Sequence, residues 1–212
     1  KESPNSFTKN NSKFQKSFSN SFTHVRRDGM SKTGLLGLID HLESAVRNLH
    51  FPGWKSEWSE YYDSEMKYSP DSFRHKENLV DRFLASLAPE TLWDLGANTG
   101  HFSRIAGKKG IRVISIDLDP IAVEKNYLRS KSLHETNILP LVMDLSNPSP
   151  KTGWENQETL SLPERGPADT AIALALIHHL AISSNLPFER IASCFSKLCR
   201  SLIIEFVPKD DT

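Results

Sequence analysis

The stretch Leu92-Trp93-Asp94-Leu95-Gly96-Ala97-Asn98-Thr99-Gly100-His101-Phe102 decides how this chain folds. A short strand, Thr91 to Leu95, runs into a turn bearing two glycines, which permit positive φ and close approach by a ligand. Phe102 to Gly107 then begins a helix that Gly110 closes. Outward from this turn the alternation continues. Arg112 to Ile116 reads as a second strand, and Asp119-Pro120 opens a helix carrying Ile121, Val123, Tyr127 and Leu128. Ile138 to Met143 is a third strand, Thr170 to Leu176 a fourth, Phe188 to Leu198 a helix, and Leu202 to Val207 a fifth strand. Strands separated by helices predict βαβ units in a parallel α/β sheet. Functional loops then gather at the C-terminal ends of the strands.

The N-terminal side reads differently. Residues 1–30 form a flexible polar segment, rich in Ser, Asn and Lys up to Thr23. Its four phenylalanines, Phe7, Phe14, Phe18 and Phe22, could mark an apolar stripe for a partner. Residues 31–88 form an N-terminal helical extension. Leu35, Leu36, Leu38, Ile39, Leu42, Val46 and Leu49 recur at helical spacing behind the cap Ser31. An aromatic connector follows, with Trp54, Trp58, Tyr61 and Tyr62, which either packs on the core or covers a ligand. Ser69-Pro70-Asp71 opens a second helix, with Phe73, Leu79, Val80, Phe83 and Leu84 on its buried face. Residues 89–212 make the core domain.

Composition bounds the function. The 212 residues carry 26 Lys plus Arg against 26 Asp plus Glu, a net charge of zero. That balance argues against a basic nucleic-acid scaffold. Cys194 and Cys199 are too few for a disulfide framework and read as two residues of one helix, so a reduced, cytoplasmic protein is expected. The most apolar run, Ala171 to Ile177, is too short to span a membrane. No secretory signal opens the chain, and the missing initiator Met suggests that residues were removed before Lys1.

Chemistry concentrates after the strands. A tight strand-to-helix turn needs no ligand, so the glycines alone leave the question open. Two further acids weigh on it. Asp117 ends the second strand, 21 residues after Gly96, where a carboxylate can accept from both hydroxyls of a ribose. Asp144 ends the third strand, where it can accept from an exocyclic adenine amine. With Asp94, three acids at three consecutive strand ends converge on one crevice.

Asp94-Leu95-Gly96-x-x-x-Gly100, Ile116-Asp117-Leu118-Asp119 and Met143-Asp144-Leu145 together resemble the binding motifs of class I S-adenosylmethionine-dependent methyltransferases. The likeness runs from about Lys76 to Val207; Asn98 stands where that family often has Gly, and the dehydrogenase pattern G-x-G-x-x-G is absent. The resemblance implies a three-layer Rossmann-like sheet of order 3-2-1-4-5. It implies S-adenosylmethionine as cofactor, held by Asp94, Gly96, Ala97, Asn98, Thr99, Gly100, Asp117, Leu118, Asp144 and Leu145. In that family the glycine loop passes the methionine part, the second-strand acid holds the ribose, and the third-strand acid meets the adenine. Such sheets have seven strands, so the last strands are expected to be missing from a chain that stops just after the fifth. A weaker likeness, on Leu174 to His179 with Asn147-Pro148-Ser149-Pro150, is to bacterial methyltransferase-like proteins of the nodulation type.

Residues after the fourth strand face the transferred methyl in this family. Here they are His178 and His179, in place of the Asn/Asp-Pro-Pro-aromatic motif of base-methylating enzymes. A histidine can remove a proton from an oxygen or nitrogen nucleophile. The same residues can also serve as packing or capping histidines. Being adjacent, they are poor co-ligands of one metal ion. Lys76 and Glu205 are further candidates, for the cofactor's carboxylate and the acceptor site. The polar loop 147–167 can act as a lid or as plain surface. The expected function is methyl transfer to an oxygen or nitrogen of a small-molecule acceptor. An RNA or protein methyltransferase and a non-catalytic cofactor-binding module are the alternatives.

Overall fold

Five parallel strands form one sheet in the order β3-β2-β1-β4-β5. They are β1 (Thr91–Leu95), β2 (Arg112–Asp117), β3 (Ile138–Val142), β4 (Ala168–Ala173) and β5 (Cys199–Ile204). The computed structural model describes residues 29–49, 56 and 69–207. The four phenylalanines of the first segment and the connector aromatics Trp54, Trp58, Tyr61 and Tyr62 lie outside the described residues.

Contacts divide the chain into two units, Lys1–Phe51 and Pro52–Thr212. In the first, α1 (Lys32–Arg47) starts where expected, because the Ser31 hydroxyl accepts from Gly34 N at 3.1 Å. Its residues are exposed. In the second, α2 (Pro70–Leu87) is capped by Ser69, whose hydroxyl accepts from Ser72 N at 3.2 Å. This helix packs Val80 and Leu84 into the same apolar cluster as Leu92 and Phe102. Phe83, which its spacing assigned to the buried face, is 50% exposed.

Strand residues alternate between the two faces of the sheet. Leu92, Val113, Ile172 and Ile203 meet α2 and α3 (His101–Gly107) on one side. Trp93, Leu95, Ala171 and Ala173 meet α6 (Phe188–Leu198) on the other, through Ile191, Phe195 and Leu198. A parallel sheet is covered on both faces, so its strands read as nearly unbroken apolar runs. That is why the strands could be located in the sequence; their order is the one that the family resemblance implied. Each fully buried Leu or Ile contributes on the order of 1.5–3 kcal/mol.

The largest departures from expectation lie in β4, β5 and the polar loop. β4 ends at Ala173, because Ala175 takes a left-handed conformation (φ 49°) and turns the chain away. β5 begins at Cys199, paired with Ala168, so the two cysteines do not share a helix. Its register is further fixed by Arg200, whose guanidinium donates to Asp169 at 2.8 Å. The polar stretch 147–167 holds a 3-10 turn (Trp154–Asn156) and the short α5 (Leu162–Arg165). The latter starts with a capping box of Ser161 and Glu164 that the sequence reading passed over. The remaining helix, α4 (Pro120–Ser132), is capped by Asp119 and packs on β2 and β3. No helix among the described residues is long and apolar enough to cross a membrane.

Candidate functional site

The turn after β1 is held by its own backbone. Gly96 N and Ala97 N both donate to Ile116 O at 2.9 Å, and Gly100 N donates to Ala97 O at 2.8 Å. Asn98 N donates to the Asp117 carboxylate at 2.6 Å, and Thr99 N to the Asn98 side chain at 2.7 Å. All five amides from 96 to 100 therefore have partners. The turn offers a shaped surface rather than free donors. Asn98 sits at φ 50°, a region that Asn tolerates better than most residues, which explains how it replaces glycine here. Gly96 lies at φ 74°, and a Cβ there would sit 3.1 Å from Leu176.

At the C-terminal edge of the sheet lies a cleft of about 650 Å³. Eight of the expected site residues line it: Gly96, Asn98, Asp117, Leu118, Asp144, Leu145, His178 and His179. Asp94, Ala97, Thr99 and Gly100 do not: Asp94 lies behind the turn, and the other three belong to it. Asp94 is 3% exposed and accepts from the Ser103 hydroxyl at 2.5 Å. Burial pushes its carboxyl up to about 7, against the pull of that hydrogen bond.

Asp117 and Asp144, both at the cleft, are held in contrasting ways. Asp117 accepts from Asn98 N and, at 2.8 Å, from Asp119 N; burial still raises its pKa above the usual carboxylate range. Asp144 accepts from the Ser146 hydroxyl at 2.6 Å and from Ser146 N at 2.8 Å, bonds that hold its pKa below that range. Leu118, next to Asp117 in the chain and also in the lining, exposes 64% of its surface. An exposed leucine sharing a cleft with hydrogen-bond acceptors suits a flat apolar ring edged with donors.

The opposite wall comes from the chain after β4. Leu174, Ala175 and Leu176 lead into a π-helical turn, His179–Ser183, closed by Ser184 N donating to His179 O at 3.1 Å. π-turns are rare and cluster at functional positions. The His178 and His179 rings lie 4.0 Å apart between centroids. His178 Nδ1 is buried and finds no hydrogen-bond partner among the described residues. Lys76 and Glu205 do not line the cleft; they form an ion pair at 2.7 Å.

Sequence reasoning missed part of the lining. Met143, Ser183 and Ser184 contribute, and so do Ser56 and Asp119, which hydrogen-bond each other. Asp119 had a signal, since it lies within the second-strand motif, whereas Ser56 had none. Also missed was the arginine behind the turn. Arg104 is 5% exposed, and its guanidinium donates to Thr99 O at 2.8 Å, Gly100 O at 3.0 Å and the Asn126 side chain at 2.9 Å.

The sheet order and the crevice after β1, β2 and β3 define the class I methyltransferase fold. Comparison with solved structures agrees: monomeric WbdD superposes with a TM-score of 0.51 at 17% identity, covering 79% of this chain and 39% of that one. Another structure's description calls WbdD a bifunctional kinase-methyltransferase. At that identity the likeness shows the fold alone. Among curated proteins, the nodulation protein NoeA of Rhizobium meliloti (strain 1021) is 38% identical over 183 residues. The match covers 86% of this chain, which spans 38% of the length of NoeA. No family model matches the chain.

Proposed function

We propose that this chain is an S-adenosylmethionine-dependent methyltransferase acting on an oxygen or nitrogen of a small-molecule acceptor. One observation carries the reading: Asp117, Leu118 and Asp144 on one side and His178 and His179 on the other line a single cleft at the strand ends. Its volume of about 650 Å³ lies within the range of small-molecule and cofactor sites. The donor set fits the cofactor. Each Asp117 oxygen already takes one backbone N–H and keeps a lone pair for a ribose hydroxyl. Asp144 suits the adenine amine, and Leu118 the face of the base. Gly96 and Asn98 bound the methionine end by shape. Asp94 supports the turn from behind, and Ala97, Thr99 and Gly100 complete it.

S-adenosylmethionine, when bound, supplies an electrophilic methyl group on a sulfonium. The protein's part is to hold the acceptor in line with that methyl and to exclude water. His178 and His179 would take the proton that the acceptor's O–H or N–H loses as its lone pair bonds to carbon. The orphaned Nδ1 of His178 calls for an explanation, and proton handling beside the cleft is one. Charge balance, 26 cationic against 26 acidic side chains, favours a small acceptor over RNA. The free thiols of Cys194 and Cys199 fit a cytoplasmic location.

The test is release of S-adenosylhomocysteine from S-adenosylmethionine across a panel of hydroxyl and amine acceptors, with RNA as the rival acceptor. Replacing both histidines by Ala should slow turnover about 100-fold while leaving cofactor affinity nearly intact. An unchanged rate would remove the base assignment. Cofactor binding without turnover on any acceptor would favour a non-catalytic module.

A further inference from the structure

Arg104 is a buried cation placed behind the turn that lines the cleft, and nothing in the proposed chemistry uses it directly. Its guanidinium reaches in three directions. It donates to the carbonyls of Thr99 and Gly100, the last two residues of the turn, at 2.8 and 3.0 Å. It donates to Asn126 Oδ1 at 2.9 Å and to Ser130 Oγ at 3.1 Å, both on α4. It also faces the Glu135 carboxylate at 3.1 Å, with the two side chains 6% and 19% exposed.

We infer that Arg104 is a positioning residue for the cofactor site: it clamps the end of the glycine turn to α4 and thereby fixes Asn98 and Asp117 at the cleft. The coupling runs through three contacts. Arg104 holds the 99–100 carbonyls on the side of the turn away from the cleft. Gly100 N bonds back to Ala97 O at 2.8 Å, so the two ends of the turn move together. Asn98, between them, donates its N–H to the Asp117 carboxylate at 2.6 Å. Freeing the carbonyls lets Asn98 shift and loosens the acid expected to take the ribose. A planar guanidinium with donors in a fixed fork can reach two carbonyls, a side-chain amide and a hydroxyl at once while its charge faces a carboxylate; an ammonium cannot. Glu135 has a different task. It offsets the buried charge but touches neither the turn nor the cleft.

This division of labour gives the test, which rests on the cofactor reading above. Arg104→Lys keeps the charge opposite Glu135 and loses the fork. Glu135→Gln keeps the fork and loses the counter-charge. Both should lower Tm, which a purely structural role would also do. The distinguishing readouts are the Kd for S-adenosylhomocysteine and hydrogen exchange of the 96–100 amides. Arg104→Lys should raise Kd at least tenfold and speed exchange across the turn. Glu135→Gln should keep Kd within about twofold and leave those amides protected. Equal effects of the two variants on Kd and exchange, at matched loss of Tm, would overturn the inference. If the unsubstituted chain takes no S-adenosylhomocysteine, the cofactor reading has failed and exchange alone decides. Selective loss of turn protection in Arg104→Lys then supports the clamp, and unchanged protection refutes it.

Discussion

The glycine turn has two sides, and they are built on opposite rules. Its front meets the cleft with exposed or half-exposed groups, Leu118 and Asp144 among them, whose own bonds are few. Its back is a sealed polar network: Asp94, Ser103, Ser115, Asn126 and Arg104 are each 5% exposed or less. There the Ser103 hydroxyl lies 3.0 Å from that of Ser115, which accepts from Asn126 Nδ2 at 2.8 Å. The lesson is that one loop joins a binding face to a stabilising one. Changes at the front should cost affinity with little stability, and changes at the back should cost folding energy, with affinity lost as well where they release the turn, as at Arg104.

The sharpest break of that comparison uses two glycines with nearly equal backbone angles. Gly100 lies at φ 76° and Gly110 at φ 80°. A Cβ on Gly100 would overlap the Asn126 amide, while one on Gly110 meets nothing within 4 Å. Gly100→Ala should therefore destabilise by about 3 kcal/mol or more, strain plus overpacking, and Gly110→Ala by about 1 kcal/mol, strain alone. Urea unfolding compares them directly. Equal costs would mean that Asn126 yields and the back is not tightly packed.

A second effect should appear with pH. The folded state raises Asp94 from its ordinary 3.8 to about 7, so the stability tied to its neutral form is fully present below about pH 4. It is lost progressively as pH rises to about 7 and beyond. Asp117 is shifted in the same sense. Asp94→Asn should flatten the slope of unfolding free energy between those limits. A slope unchanged in the variant would mean that Asp94 is solvated.

The smallest effect belongs to the front. Leu118, at 64% exposed, should change stability by less than about 0.5 kcal/mol on replacement by Ala. Its loss should weaken cofactor binding about fivefold, since roughly 1 kcal/mol of apolar burial goes with it. A binding constant that does not move would place the base elsewhere in the cleft.

Much of the front was legible in the sequence. Asp117 and Asp144 end strands whose apolar runs fix their limits, and a parallel sheet sends successive strand ends to one edge. His178 and His179 follow β4 and could be located for the same reason. The back was not legible. Arg104 finds Asn126 and Ser130 across 22 and 26 residues, a meeting set by the packing of two helices rather than by spacing. Asp94 was read as facing a ligand, because identity and position in the strand do not reveal depth. Cys199 carried no sign that β5 would begin there, since the register with Ala168 comes from the neighbouring strand. Ala175 likewise took a left-handed angle that only its surroundings impose.

The central claim is that the front of the turn is a cofactor site anchored by Asp117. The most direct measurement is calorimetric titration of the chain with S-adenosylmethionine and S-adenosylhomocysteine, beside Asp117→Ala. The account predicts micromolar binding in the unsubstituted chain and at least a 50-fold loss in the variant, consistent with removing a charged acceptor of two hydrogen bonds, roughly 1.5–3 kcal/mol each. Affinity equal in the two proteins, or no heat in either, would contradict it.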